Sequence, residues 1–134
     1  MWRKIRKWTI RVSAILLIAL FAFVIVAELS IGLSVLAFSR SAQTKFPGDR
    51  VTALSTVVDS ESCDLRDRNH AVWALGQLAD TRAVPVLEKH YTGARCDHRH
   101  KICQHEINKA LRLTRSGYNP GAFLWRWLLP DQDR

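Results

Sequence analysis

Residues 68–87 read RNHAVWALGQLADTRAVPVL, and their spacing decides the fold. At about 100° per residue, Arg68, Ala71, Val72, Leu75, Leu78 and Ala79 fall on one stripe of a helix that starts near Asp64. Arg66, His70, Trp73 and Gln77 fall on the opposite side. Asp80 and Thr81 punctuate the end and cap a second helix, Arg82 to Tyr91, whose Val84, Leu87 and Tyr91 repeat at helical spacing. Pro85 is tolerated there because it lies near the helix start, and Gly93 stops the helix.

Outward from this hairpin, a further helix is predicted from about His98 to Arg115, with Cys103, Ile107, Ala110, Leu111 and Thr114 on one face. Gly117 and Pro120 end it. Arg50 to Ser60 supplies an earlier helix, with Asp49 as its N-cap, and Gly121 to Leu129 a terminal cap. No alternating strand pattern persists, so the fold class is all-α.

The pattern Arg68-x-x-Ala71-x-x-Ala74-Leu75-Gly76-x-Leu78-Ala79-Asp80-x-x-Ala83-Val84-Pro85-x-Leu87 resembles the HEAT-like repeat of the phycobilisome lyase type. A shift of 36 residues places Ala74-Leu75 on Ala110-Leu111 and suggests a second, partial repeat. The small residues Ala71, Ala74 and Gly76 permit close helix approach, and Asp80 closes the turn. The resemblance implies a short α-solenoid, a fold that mostly serves as a binding scaffold, and it implies no lyase chemistry.

The amino-terminal part has another character. Val12 to Ala27 is an uncharged run, VSAILLIALFAFVIVA, and apolar composition resumes after Glu28 as far as Phe38. Crossing a bilayer takes about 20 apolar residues, which Ile10 to Ser30 supplies, with Glu28 near the far interface. Arg3, Lys4, Arg6, Lys7 and Arg11 crowd the first flank, so the positive-inside rule predicts a cytoplasmic N-terminus and an extracytoplasmic remainder, periplasmic in a Gram-negative cell. Trp2 and Trp8 stand at headgroup level. A cleavable signal is the competing reading, with small-residue pairs at Ile25/Ala27 and Val35/Ala37, but the apolar run is longer than a signal's core.

The resulting division is a basic tail (1–11), a transmembrane segment (12–38) held in the lipid bilayer, a linker (39–48), HEAT-like repeats (49–116) and a C-terminal aromatic cap (117–134). The formal net charge of +8 over 134 residues invites a nucleic-acid reading. Half of that charge sits in residues 1–39, where it sets topology, so a nucleic-acid partner is not expected.

Cys63, Cys96, His100 and Cys103 form the one suggestive chemical cluster. A helix extended back to residue 96 would put Cys96, His100 and Cys103 on one face, and with Cys63 they offer four metal ligands, although the spacing fits no standard zinc motif. In an oxidising compartment a disulfide is favoured instead. Cys96 and Cys103 stand about 10 Å apart along a helix, too far to bridge unless Cys96 lies in the loop and folds back. Cys63 and Cys96 precede equivalent helices, so the expected pair is Cys63 with Cys96, leaving Cys103 as a core thiol.

His105-Glu106 resembles one dyad of another HEAT-like family, deoxyhypusine hydroxylase, but the corresponding pair one period earlier is Asn69-His70, and one dyad cannot build a di-iron centre. No phosphate loop, nucleophile elbow or HExxH occurs, so neither an enzyme nor a cofactor is expected. The face formed by Arg66, His70, Trp73 and Gln77 is the candidate surface for a protein partner, because Trp and Arg are enriched at binding hot spots. The competing reading packs Trp73 against the helix of residues 50–60.

Overall fold

The computed structural model describes the backbone of residues 2–97 and 99–129, with the side chains of 6–97, 99–126, 128 and 129. The expectations for the side chains of Trp2 and Trp127, for His98 and for residues 130–134 lie outside the described residues. Among these, every regular element is helical: α1 (Trp2–Lys45), α2 (Arg50–Asp59), α3 (Leu65–Leu78), α4 (Val84–His90), α5 (Gln104–Ser116) and α6 (Phe123–Leu128). A 3₁₀ turn precedes α4 (Thr81–Ala83) and another precedes α6 (Pro120–Ala122).

The helix ends follow local chemistry. Asp49 caps α2 by accepting the Thr52 amide at 3.1 Å. Helix α3 closes on Ala79 in the left-handed region, φ 47°, and Asp80 then accepts the Arg82 amide at 2.9 Å to start the next turn. Pro85 sits in the first turn of α4, where its missing N–H costs nothing. Gly117, φ 63°, ends α5.

Helix α3 is the centre of the body, packed between α2 and α5 and touched by α1. Its Ala71, Val72, Ala74 and Leu75 are fully buried and meet Leu54 and Val58 of α2, Leu87 of α4, and Ile107 and Leu111 of α5 in one core. A Cβ built on Gly76 would stand 3.0 Å from the Ala110 Cα, so the glycine lets α3 and α5 approach backbone to backbone. Each fully buried Leu contributes about 1.5–3 kcal/mol by leaving water.

Three expected boundaries change. The linker of residues 39–48 is mostly helix: α1 runs through Lys45, and Phe46–Asp49 alone connect it to α2. Ser39 is fully buried because its hydroxyl donates to the Val35 carbonyl at 2.7 Å, which lets a polar residue face the core. Helix α5 starts at Gln104 rather than near His98, and α4 is only seven residues long. The aromatic cap also docks elsewhere than on the last repeat. Helix α6 returns to α1, where Trp125, 2 % exposed, presses on Gly32.

The first half of α1 turns large apolar side chains to the outside. Phe21 and Phe23 are 68 % and 71 % exposed, as are Ile15, Leu16, Leu17 and Ile18 to a similar degree. The helix is long and apolar enough to cross a membrane.

Candidate functional site

The loop between α4 and α5 carries the sulfur chemistry, and Gln104 sets its shape. The Gln104 side chain accepts the Thr92 amide at 2.7 Å and donates to the His90 carbonyl at 3.1 Å and the Ile102 carbonyl at 3.3 Å. These bonds tie the loop's two ends together. Asp97 turns the tip, accepting the Arg99 amide at 3.1 Å. The loop therefore doubles back over the start of α5, which brings Cys96 to Cys103.

Cys96 Sγ accepts the His105 amide at 3.2 Å. It is half-buried, whereas Cys103 is buried and its amide donates to Asn69 Oδ1 of α3 at 2.8 Å. The Cys103 thiol and then the amides at the start of α5 hold the Cys96 thiol below the usual cysteine range. Burial, with Cys96 alongside, pushes the Cys103 thiol up. Both sulfurs line an open cleft of about 500 Å³ with Arg66, Asn69, His105 and Glu106.

The expected four-ligand group is not assembled. His100 pairs with Asp97 at 3.1 Å on the exposed loop tip. Cys63 packs against the core just past α2, its amide donating to the Ser60 carbonyl. No group of three or more His, Cys, Asp or Glu converges among the described residues. Cys63 and Cys96 are both free thiols, so the expected pairing gives way to a different neighbour: Cys96 folds back to Cys103. The physical reason is the Gln104 clamp, which no spacing rule displays.

The face expected to receive a partner is largely used within the chain. His70 stacks on Phe38 of α1 with ring centroids 4.1 Å apart and leans on Trp73 at 5.2 Å. Burial drives the His70 imidazole below its ordinary pKa, outweighing nearby Asp67. Trp73 is half-buried against the core. Gln77 Oε1 accepts from Asn119 Nδ2 at 3.1 Å, and the Gln77 carbonyl accepts from Arg126 at 3.1 Å. Arg66 and His70 both remain exposed, Arg66 at the rim of the thiol cleft. The polar side of α3 is therefore partly packed, at Trp73 and Gln77, and partly exposed, at Arg66 and His70.

A second depression of about 300 Å³ runs between α2 and α4, lined by Val51, Thr52, Ser55, Thr56, Asp59, Arg82 and Val86. Its rim is stitched by ion pairs. Arg82 donates to Asp49 at 2.7 Å and to Asp80 at 2.8 Å, joining the caps of two successive hairpins. Asp59 receives Lys89 at 2.9 Å and His90 at 2.7 Å.

Helix α3 leads through an Asp80-capped turn into α4, which carries Pro85 in its first turn. Residues 67–92 match the PBS lyase HEAT-like repeat family model. The HEAT-like repeat spans nearly all of α3, the 3₁₀ turn and α4, so it coincides with the hairpin that organises the core. No curated protein and no solved structure matches the chain. The cleft takes Asn69 from within the matched residues and Cys96, Cys103, His105 and Glu106 from beyond them.

Proposed function

We propose that the chain is a single-pass membrane protein that displays a short, non-catalytic HEAT-like solenoid on the extracytoplasmic side and holds a protein partner near the bilayer. The observation that carries this reading is the continuity of α1. One 44-residue helix, about 66 Å long, has a half with exposed apolar side chains and a half that belongs to the body's core. The exposed half matches about 30 Å of hydrocarbon, and its basic flank favours a cytoplasmic N-terminus. Helix α6 fits the same orientation. Trp125 meets Gly32 just past the Ile10–Ser30 stretch that suffices to cross the bilayer, so on this reading the exposed Phe123 and Leu128 stand at headgroup level.

The packing of α2 between α1 and α3, of α3 against α5, and of α4 against α5 and α2 supports the solenoid. With His70, Trp73 and Gln77 engaged internally, the partner surface is the groove between α2 and α4, where apolar Val51 and Val86 lie among hydroxyls and both charge signs.

Two measurements test the reading. In sealed cells treated first with a membrane-impermeant reductant, a membrane-impermeant maleimide should label Cys96 without lysis; labelling only after lysis reverses the topology. A photo-crosslinker placed at Ser55 in native membranes should give a discrete adduct that one placed at Lys109 does not. Equal patterns at both positions would remove the groove from the proposal.

A further inference from the structure

We propose that Cys96 and Cys103 are an exchange-competent dithiol that reacts with disulfide-bonded thiol partners, Cys96 as the entering sulfur and Cys103 as the resolving one. The geometry carries this. The two thiols line the same open cleft, and His105 N–H points at Cys96 Sγ from 3.2 Å. Helix α5 is thirteen residues long, and the partial positive charge of its N-terminus favours a thiolate at that position. The asymmetry is the second element. Cys96 is the half-exposed member on an irregular loop, while Cys103 is buried and its backbone is pinned to Asn69 of α3. One sulfur can meet an incoming disulfide and the other can reach only its neighbour.

The chemistry balances with a disulfide as oxidant. The Cys96 thiolate attacks one sulfur of the incoming disulfide R–S–S–R; a Cys96–S–S–R bond forms and one R–S⁻ leaves. Cys103 then loses its proton and attacks Cys96 Sγ, forming the Cys96–Cys103 bond and expelling the second R–S⁻. Two electrons pass from the protein dithiol to the oxidant, whose two thiolates take up the two protons. Closing the bond needs the sulfurs to approach to about 2.05 Å, a movement assigned to the irregular Cys96 loop rather than to α5.

The charged and titratable groups facing the pair are Arg66 from α3, and His105 and Glu106 from α5. The amides of the helix start favour the thiolate, and Glu106 opposes it. Cys63 is half-buried away from the cleft and serves as the internal reference. The inference is independent of which partner occupies the groove between α2 and α4 and of which side of the membrane the body occupies.

The test uses the reduced full-length protein in detergent micelles with oxidised glutathione, read by intact and peptide mass spectrometry. Wild type should form the Cys96–Cys103 disulfide and retain no glutathione. Cys103→Ser should accumulate one glutathione, on Cys96, and Cys96→Ser should accumulate none on Cys103. At neutral pH, Cys96 in Cys103→Ser should be alkylated roughly tenfold or more faster than Cys63, with a pH midpoint below the usual value of about 8.5. Glu106→Gln should lower that midpoint further, a response that a merely structural pair would not give. Reducing the wild-type disulfide with dithiothreitol under native conditions should restore both thiols. A Cys96–Cys103 bond that resists reduction until the protein unfolds, glutathione settling on Cys63 rather than Cys96, or equal alkylation rates at the two would each overturn the proposal.

Discussion

Substituting Gly32 probes the joint between the membrane-length helix and the body. A Cβ on Gly32 would stand 2.6 Å from Trp125 Cβ and Cγ and 2.8 Å from Cδ2, separations that real side chains do not hold. Trp125 is anchored by burial, so α6 must slide or lift to accept Gly32→Ala. Overpacking of this kind costs about 1–3 kcal/mol, against a gain of about 1 kcal/mol from replacing a helix-interior glycine by alanine. The clash wins, and Gly32→Ala is expected to destabilise by up to about 2 kcal/mol. Trp125→Ala should cost about 3–5 kcal/mol by itself. On that background the clash is gone, and Gly32→Ala should turn neutral or stabilising by up to about 1 kcal/mol. The assay is a double-mutant cycle by denaturant unfolding in micelles, with limited proteolysis of the segment after Gly117 reporting whether α6 is docked. Additive effects, or a stabilising Gly32→Ala in the wild-type background, would refute the packing of α6 on α1.

Asn69→Ala removes the acceptor for the Cys103 amide and should cost about 1–2 kcal/mol in unfolding while raising the alkylation rate of Cys103. Asp49, Asp59 and Asp80 all sit below the usual aspartate range: the Thr52 hydroxyl and Arg82 hold down Asp49; Lys89 and His90 outweigh burial at Asp59; and Arg82 holds down Asp80. Each binds fewer protons folded than unfolded, so their stabilisation is present above about pH 4 and lost as pH falls through the lowered values, visible as a falling Tm that Asp80→Asn makes shallower. His70 is the opposite charge type with a lowered pKa, so protonation favours the unfolded chain and stability should begin to drop below about pH 6.5; His70→Phe, keeping the stack on Phe38, should remove that inflection.

The central hairpin was legible because several local signals agree there. The stripe through Ala71, Val72 and Leu75 matches the buried face of α3, Asp80 and Pro85 mark the turn, and Gly76 forecasts close approach to a neighbour. The rest was hidden by tertiary packing. Residues 39–45, SRSAQTK, carry the composition of a linker, yet they stay helical because Ser39 and Ala42 are buried within the body. Trp73 lies opposite the apolar stripe, but a helix flanked by α1, α2 and α5 has little open side, so amphipathic spacing misstates its exposure. Periodicity carried α5 back to residue 98 because Cys103 fits its face; the Gln104 clamp and the Asp97 turn break the helix there and create the thiol pair. Gly32 is one residue in an apolar run, and only its contact with Trp125 gives it meaning.

The continuity of α1 also decides between the two small-residue positions at which a signal could be cut. Cutting after Ala27 would remove the exposed half of the helix and leave Gly32, Val35, Leu36, Ser39 and Ala42 in place, so the body would keep its first helix. Cutting after Ala37 would delete Val35 and Leu36, each contributing about 1.5–3 kcal/mol by burial, together with the surface that covers Trp125. The summed loss approaches the whole stability of a small domain, about 5–15 kcal/mol. A chain beginning at Glu28 should therefore be soluble and cooperative on heating, with a Tm within a few degrees of the full-length body. One beginning at Phe38 should be largely unfolded at room temperature and should not protect the segment after Gly117 from protease. Equal stability of the two would mean that the second half of α1 is an appendage rather than the first helix of the body.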